Sequence, residues 1–343
     1  MSRAATGSSI DERIARALTP ILDAATAPLL LAVSGGPDST ALMHAAARYG
    51  SPASLSVATV DHGLRAGSTA EARSVGERAA ALGLRHAVLT WEAPRRDGQI
   101  QAEARAARYR LLSAHAERVG AEILLTAHTL DDQAETVLMR LIAGSGPAGL
   151  AGMRAERRLT PNLRLSRPFL SIEKADLVSY CKAHSLSFVS DPSNGDERFA
   201  RARLRRLMPA LEGEGLTASR LARLAHRVAR DDAALAATAA GLFKEVTRES
   251  EGEGVVVDGR RLAGEADALV LRVIDTALEA VASQLEGERV PRRLERLESL
   301  VLDAILPALA RGDTIRRTLR GVIVSVGSSG RIRLTPAAPR RMR

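Results

Sequence analysis

Short apolar runs alternate with amphipathic stretches along the first part of the chain. The apolar runs predict buried strands at residues 28–33, 54–60, 86–91 and 122–127. Apolar residues at helical spacing predict helices at 39–48, 69–82, 102–119 and 131–142. This alternation is typical of an α/β fold with a doubly wound, mostly parallel sheet. In such folds ligands bind at the carboxyl ends of the strands.

The pattern changes after residue 143. A stretch with glycines and prolines at 144–168 is followed by a predicted helix at 172–184. The acidic sequence EGEG at 212–215 is typical of a linker, and long alanine-rich helices follow it. Strand-like patterning returns at 314–334. We therefore expect a catalytic α/β domain at 1–211, and a smaller, mainly helical domain with a basic, strand-like end at 212–343.

Composition excludes several classes of protein. The hydrophobic fraction is 45%, as in ordinary globular chains. A single cysteine, Cys181, excludes an intramolecular disulfide and any multi-cysteine metal or iron–sulfur site within one chain. No uncharged apolar run approaches the roughly 18 residues that a membrane span needs, and the N-terminus has no apolar signal core. We therefore expect a cytoplasmic protein with no membrane association.

The charge indicates a polyanionic partner. The net charge is +9, and only three of the 49 basic residues are lysines, a bias that codon usage explains equally well. Residues 196–230 contain nine arginines and four acids, which is typical of a binding surface. Residues 311–343 contain nine arginines and one acid. That second excess fits a frayed basic tail as well as a binding patch.

The sequence SGGPDS lies between the first predicted strand and the first predicted helix. It consists of Ser34, Gly35, Gly36, Pro37, Asp38 and Ser39. Two glycines allow close backbone approach, and the start of a helix directs N–H groups at a phosphate. Asp38 is a candidate ligand for Mg²⁺ that bridges phosphate oxygens. No lysine follows the glycines, which excludes the Gly-Lys-Ser/Thr loop that binds a γ-phosphate.

Two further motifs have both a functional and a structural interpretation. Asp61 and His62 begin the sequence DHGLR after the second strand, where they either line a nucleotide pocket or satisfy only their own turn. Arg105 and Arg108 are three residues apart and share a helix face. They belong either to a solvated helix or to a site where arginines neutralise charge as a phosphoryl group departs.

The sequence HTLDDQAET combines a histidine with acids at the start of a helix. His128 follows the fourth predicted strand, and Asp131, Asp132 and Glu135 follow it. Acids in a first helical turn stabilise the helix through its dipole, by about 0.3–1 kcal/mol, which accounts for one acid better than for three. Asp132 and Glu135 share a face and are candidates to bind a metal or the ammonium group of an amine substrate.

Together these motifs resemble the tRNA(Ile)-lysidine synthetases of the PP-loop, or N-type ATP pyrophosphatase, superfamily. The resemblance covers roughly residues 29–211 and includes QAEARAARY, GSGPAGLAGM and DPSNGDERFARARLR. It implies that ATP adenylates the first-anticodon-position cytidine of an isoleucine tRNA with a CAU anticodon. Free L-lysine then displaces AMP and forms lysidine. Unlike many members of the family, this chain has Thr129 in place of a second histidine.

The resemblance also implies roles for individual residues, with ATP and Mg²⁺ as cofactors. Catalysis is expected from Asp38, Arg105, Arg108, His128, Asp132 and Glu135. ATP is expected to bind the SGGPDS residues together with Asp61 and His62. The tRNA backbone is expected to bind Arg198, Arg201, Arg203 and Arg205. A homodimer is one expectation for the assembly.

Three alternatives remain for comparison. A tRNA thiolation enzyme uses the same loop, but many of these enzymes carry cysteine pairs and this chain has Cys181 alone. A small-molecule amide ligase with this loop does not explain the arginine-rich segment that follows DPSN. An RNA-binding protein with a decayed nucleotide loop is disfavoured because the loop and its carboxylate are intact.

Overall fold

The structure is a computed structural model that describes residues 8–63, 67–91, 100–189, 200–249, 254–285 and 293–337. The chain divides into two compact units, residues 1–143 with 151–225 and residues 144–150 with 226–343. Among the described residues, no helix has both the length and the apolar character needed to cross a membrane.

The first unit contains a six-stranded sheet with the strand order β3-β2-β1-β4-β6-β5. Its strands are β1 (Leu29–Ala32), β2 (Leu55–Asp61), β3 (Arg85–Thr90), β4 (Ile123–Leu125), β5 (Glu156–Thr160) and β6 (Leu163–Ser166). Only β5 runs antiparallel to its neighbour. The doubly wound, mostly parallel sheet is thus confirmed.

The helices of the chain follow the predicted alternation. They are α1 (Ile10–Asp23), α2 (Pro37–Tyr49), α3 (Ser68–Ala81), α4 (Ile100–Arg118), α5 (Leu130–Ile142), the short α6 (Pro147–Leu150), α7 (Lys174–Ala183), α8 (Ala200–Gly213) and α9 (Ala218–Val246). The expected linker at 212–215 forms the end of α8 and the turn that follows. Helix α9 begins in the first unit and ends in the second.

The core of the first unit lies on both faces of the sheet. Leu29 and Leu31 of β1 belong to a cluster that includes buried residues of α1, α2 and α7, whereas Leu30 packs with Leu112 of α4. Because both faces of the sheet are covered, the residues of β1 on either face are apolar. The strand therefore appears in the sequence as one continuous apolar run.

Two features of this unit were not predicted. Helix α1 begins with a capping box between Ser9 and Glu12, and it buries Ile14 and Leu18 completely. The charged residues of α1 obscure this narrow apolar stripe in the sequence, so the helix was not predicted. The hairpin β5–β6 lies within the irregular stretch at 144–168, where exposed arginines in β5 hide the alternation.

The second unit combines helices with a five-stranded antiparallel sheet in the order β7-β8-β11-β10-β9. Its strands are β7 (Thr247–Glu249), β8 (Val255–Asp258), β9 (Ile315–Leu319), β10 (Val322–Val326) and β11 (Arg331–Pro336). Its helices, besides α6 and the end of α9, are α10 (Gly259–Leu262), α11 (Asp267–Ala282), α12 (Leu294–Glu298) and α13 (Leu306–Arg311), with a π-helical segment at Ser299–Ile305. The strand-like end of the chain therefore belongs to a sheet with two further strands.

Strand order determines where polar residues of the first unit meet. Strand β1 pairs with β2 on one side and with β4 on the other, so the direction of winding reverses between β1 and β4. The SGGPDS turn follows β1, and His128 follows β4 shortly before α5 begins. A crevice at such a reversal is where open α/β sheets bind their ligands.

We expect the hydrogen bond beneath α2 to contribute measurably to stability. Tyr180 is completely buried, and its hydroxyl lies 2.9 Å from His44 Nδ1. The Tyr180→Phe variant leaves that nitrogen without its partner, at a cost of about 1–2 kcal/mol in the free energy of unfolding. The measurement is urea unfolding above pH 7, where His44 is neutral because burial lowers its pKa.

Tyr49→Phe is the matched control. The Tyr49 hydroxyl lies 3.4 Å from the Asp11 carbonyl oxygen, so its loss changes the free energy of unfolding by less than about 0.5 kcal/mol. Equal losses in the two variants would contradict a special role for the buried pair.

Candidate active site

The SGGPDS turn is held by internal hydrogen bonds and presents the start of α2 to the crevice. The Ser39 hydroxyl accepts from the Ser34 backbone N–H at 3.2 Å and donates to the Gly36 carbonyl at 3.1 Å. Gly35 has a φ of +89°, and a Cβ there would lie 3.2 Å from Val75. Gly36 caps α2, and no side chain of the described residues caps the helix there. The first turn of α2 thus suits a phosphate group.

Asp38 has one carboxylate oxygen in use and one without a partner. Its Oδ2 lies 3.4 Å from Nζ of Lys174, while its buried Oδ1 has no hydrogen-bond partner among the described residues. Burial raises the pKa of this carboxyl; Lys174 opposes the shift, and the nearby carboxylates Asp132 and Asp131 reinforce it. A buried carboxylate oxygen without a hydrogen-bond partner is a suitable ligand for a cation.

The acids at the start of α5 also organise the backbone. Thr129 and Asp132 form a capping box, in which Asp132 Oδ2 accepts from the Thr129 N–H at 3.0 Å. Asp131 accepts from the backbone N–H of Lys174 at 2.7 Å and so connects α5 to the start of α7. Helix capping therefore accounts for more of this motif than the sequence suggested. It uses Oδ2 of Asp132, and Oδ1 takes no part in the cap.

Glu135 forms an ion pair with Arg205. It is 3% exposed, and its two carboxylate oxygens accept from Arg205 Nε at 2.5 Å and Nη2 at 3.3 Å. Arg205 Nη2 also lies 3.9 Å from Asp132 Oδ1. Burial raises the pKa of Glu135, and Arg205 opposes that shift. The pair connects α5 with α8, so Arg205 lies inside the site rather than on a solvated face.

His128 lies among positive charges and is neutral at physiological pH. Burial lowers its pKa to about 4, against the opposing charge of Asp132. Three cationic side chains contribute in the same direction: Arg167, Arg105 and Arg201. Its Nδ1 lies 2.9 Å from the Thr126 hydroxyl. Arginines that converge on a neutral histidine leave the positive charge available to an anionic ligand.

The DHG turn is held by hydrogen bonds within the turn and to the start of α3. Asp61 accepts from the Gly63 N–H and from the Thr69 hydroxyl, each at 2.9 Å, and these donors help to lower its pKa. His62 packs edge-on against Trp91, and its Nε2 lies 3.2 Å from Arg108 Nη2. Asp61 is thus hydrogen-bonded within its turn and to α3, and His62 contacts Arg108; their role in binding ATP stays a prediction.

The remaining predicted residues are distributed unevenly. Arg105 is exposed and lies over the ring of Tyr109 at 5.4 Å, and Arg203 is exposed on α8. Arg198 lies outside the described residues, as do the last two residues of DHGLR.

Sequence reasoning missed two cations of the site. Arg167 lies in the stretch at 144–168 and Lys174 in the helix predicted at 172–184, and no spacing relates them to the motifs. Arg167 is 5% exposed, and its Nη1 donates to the Arg154 carbonyl at 2.6 Å. Only the tertiary fold brings them to the crevice.

The site as a whole suits a nucleotide with its phosphates. Among the described residues, no group of three or more His, Cys, Asp or Glu side chains has the arrangement of a metal site. Asp38 alone fits a cation that phosphate oxygens also bind, which is how Mg²⁺ commonly accompanies nucleotides.

Comparisons with known proteins identify the family. The PP-loop domain family matches residues 8–211. The chain is 52% identical to the tRNA(Ile)-lysidine synthase of Methylobacterium nodulans over 91% of each protein. It is 42% identical to that of a Bradyrhizobium species, over 96% of this chain and 94% of the relative.

A solved structure agrees on the fold. The U34-tRNA thiolase NcsA from Methanococcus maripaludis, determined with its [4Fe-4S] cluster, has a TM-score of 0.54 and 15% identity. The match covers 64% of this chain and 78% of the thiolase. At this identity the likeness shows a shared fold only. The close relatives decide the family: the chain belongs to the tRNA(Ile)-lysidine synthases, with a PP-loop domain.

Proposed function

We propose that the protein ligates lysine to C2 of the cytidine at the first anticodon position of an isoleucine tRNA with a CAU anticodon. The cytidine oxygen attacks the α-phosphorus of ATP and pyrophosphate leaves. The lysine ε-amine then attacks C2, and AMP leaves. The product, lysidine, changes the codon and amino-acid specificity of the tRNA. The observation that carries this proposal is the crevice in which Asp38, Asp132 and an arginine cluster meet, in a chain with such relatives.

The SGGPDS turn and the arginines would bind the phosphates of ATP. N–H groups at the start of α2 and the exposed Ser34 suit the phosphate oxygens. Arg105, Arg167 and Arg201 are close enough to His128 to shift its pKa, and they would stabilise negative charge as pyrophosphate leaves. Asp38 Oδ1 would hold Mg²⁺, which supplies further charge neutralisation at the phosphates when bound.

Asp132 is the acid best placed to receive lysine. An unperturbed lysine side chain titrates near pH ~10.4, so its ammonium must lose a proton before it attacks. Glu135 is occupied by Arg205, whereas Asp132 Oδ1 has only a long 3.9 Å contact to that guanidinium. We therefore assign the binding of the ammonium to Asp132 and the positioning of Arg205 to Glu135.

The tRNA would extend from the crevice along α8. Arg201 faces His128 and would act at the reacting nucleotide, while exposed Arg203 would bind backbone phosphates. Arg198 belongs to the same proposal. The second unit is proposed as a tRNA-binding domain. We also propose that the protein is cytoplasmic and forms a homodimer.

The thiolation alternative conflicts with the chemistry of the one cysteine. Cys181 is completely buried, and its thiol donates to the Pro37 carbonyl at 3.4 Å beneath the SGGPDS turn. Burial raises its pKa to about 11, so the thiol stays protonated and is a poor nucleophile. One cysteine also cannot supply the ligands of an iron–sulfur cluster.

Asp38→Asn should abolish the first step and leave the protein folded. We expect single-turnover formation of adenylated tRNA to fall by about a hundredfold or more, since a neutral amide binds Mg²⁺ poorly. The raised pKa shows that the fold disfavours the charged carboxylate, so stability at pH 7 should be equal or higher. Asp23→Asn, on the exposed end of α1, is the control. Undiminished adenylation by folded Asp38→Asn protein would refute the assignment of this turn.

Asp132→Asn should separate the second step from the first. Asparagine keeps an oxygen for the Thr129 cap but loses the charge, so we expect lysine affinity to fall about ten- to a hundredfold. Adenylated tRNA should then accumulate and be rescued by high lysine. The measurement is single-turnover formation of both products across a lysine titration.

Two matched variants complete that experiment. Asp131→Asn keeps its bond to the Lys174 N–H and should leave lysine affinity nearly unchanged. Glu135→Gln weakens its hold on Arg205 and should impair both steps. If Asp132→Asn slowed both steps equally and lysine gave no rescue, this acid would belong to the nucleotide or its metal instead.

A further inference from the structure

The sheet of the second unit carries a row of arginines that no part of the proposed mechanism uses. The pairing registers align Arg316 of β9, Ser325 of β10, Arg333 of β11, Val256 of β8 and Arg248 of β7. Successive side chains alternate between the two faces of a strand, so these five residues lie in one line on one face. Strands are about 4.8 Å apart, and the three arginines are therefore about 10 Å apart across the sheet.

This face is directed to solvent. The opposite face contains Val322, Val324 and Leu334, all completely buried in the core of the unit. In contrast, Arg248, Arg316 and Arg333 are exposed. A further exposed arginine, Arg331, shares their face because it lies two residues from Arg333 on the same strand.

The arginine row has no counter-ion among the described residues. No carboxylate there forms an ion pair with Arg248, Arg316 or Arg333, although four other arginines of the same unit do so: Arg261, Arg272, Arg311 and Arg320. Cross-strand neighbours in the row are a serine and a valine. The register places one acid, Asp258, on the same face, opposite Arg331, so this face keeps an excess of positive charge.

We propose that this row binds the phosphate backbone of the tRNA substrate, an inference that rests on the proposed function. Arginine forms strong, charge-assisted hydrogen bonds with phosphates. The row has no aromatic side chain on which an unpaired base would stack, so it suits the backbone of a base-paired stem rather than single-stranded bases. It positions the RNA without reading its sequence. The basic end of the chain is thus a binding surface as far as its last described strand.

Neutralising the row should weaken RNA binding and its dependence on salt. We expect the R248Q/R316Q/R333Q variant to bind an isoleucine tRNA transcript about tenfold or more weakly at physiological salt. Three lost phosphate contacts should also make the slope of log affinity against log salt shallower by about 2 to 3. Adenylation at saturating tRNA should keep its single-turnover rate.

R261Q/R296Q/R311Q is the matched control. It removes the same charge from exposed positions of the same unit that lie outside the sheet. Its binding and salt slope should stay near those of the parent protein. If the first variant fails to fold, R316Q/R333Q is measured instead. We expect it to change the salt slope by about two thirds as much.

The outcomes separate the two proposals. If the parent forms lysidine and the row variant has the salt slope of the control, the row does not bind RNA while the proposed function stands. If the parent binds the transcript without forming lysidine, the proposed function is wrong. If the row variant, but not the control, then has a shallower salt slope, the proposal for the arginine row is supported. A parent that binds no RNA overturns both.

Discussion

Uncompensated charge in the crevice between β1 and β4 is the constraint on which the rest of the first unit depends. Asp38 buries an oxygen that has no partner among the described residues, and arginines converge on a histidine that is neutral at physiological pH. Charge that lacks a partner or solvent is destabilising, so this arrangement favours the binding of a ligand. In the proposed function a nucleotide with its metal would offset both costs, since its phosphates would neutralise the arginines and the cation would bind the free oxygen.

The surrounding fold keeps these groups in place. Asp131 connects α5 to α7, which brings Lys174 to within 3.4 Å of Asp38. Glu135 connects α5 to α8 through Arg205. Helix α5 is therefore attached to two other helices through Asp131 and Glu135, which leaves Asp132 as the acid proposed to bind the ligand.

The sequence predicted the parts of this arrangement whose signal is local. A covered parallel strand appears as an apolar run, and the SGGPDS turn needs its glycines, so both were found correctly. Lys174 and the partnership of Glu135 with Arg205 depend on contacts between distant segments, which no single-sequence spacing contains. Asp61 was ambiguous because a turn and a ligand site use the same residue types. Strands β7 and β8 were missed because β7 (TRE) has no apolar residue and β8 (VVVD) has an apolar run of only three residues.

The most direct test of the account is lysine incorporation into a panel of tRNA transcripts. The protein is incubated with ATP, labelled lysine and the isoleucine transcript with a CAU anticodon. Parallel reactions contain the same transcript with another first anticodon base, or a methionine transcript with the same anticodon. The account predicts ATP-dependent label in the isoleucine CAU transcript alone, with one AMP released for each lysine. Label without ATP, AMP release without lysine incorporation, or no product from any transcript would contradict it.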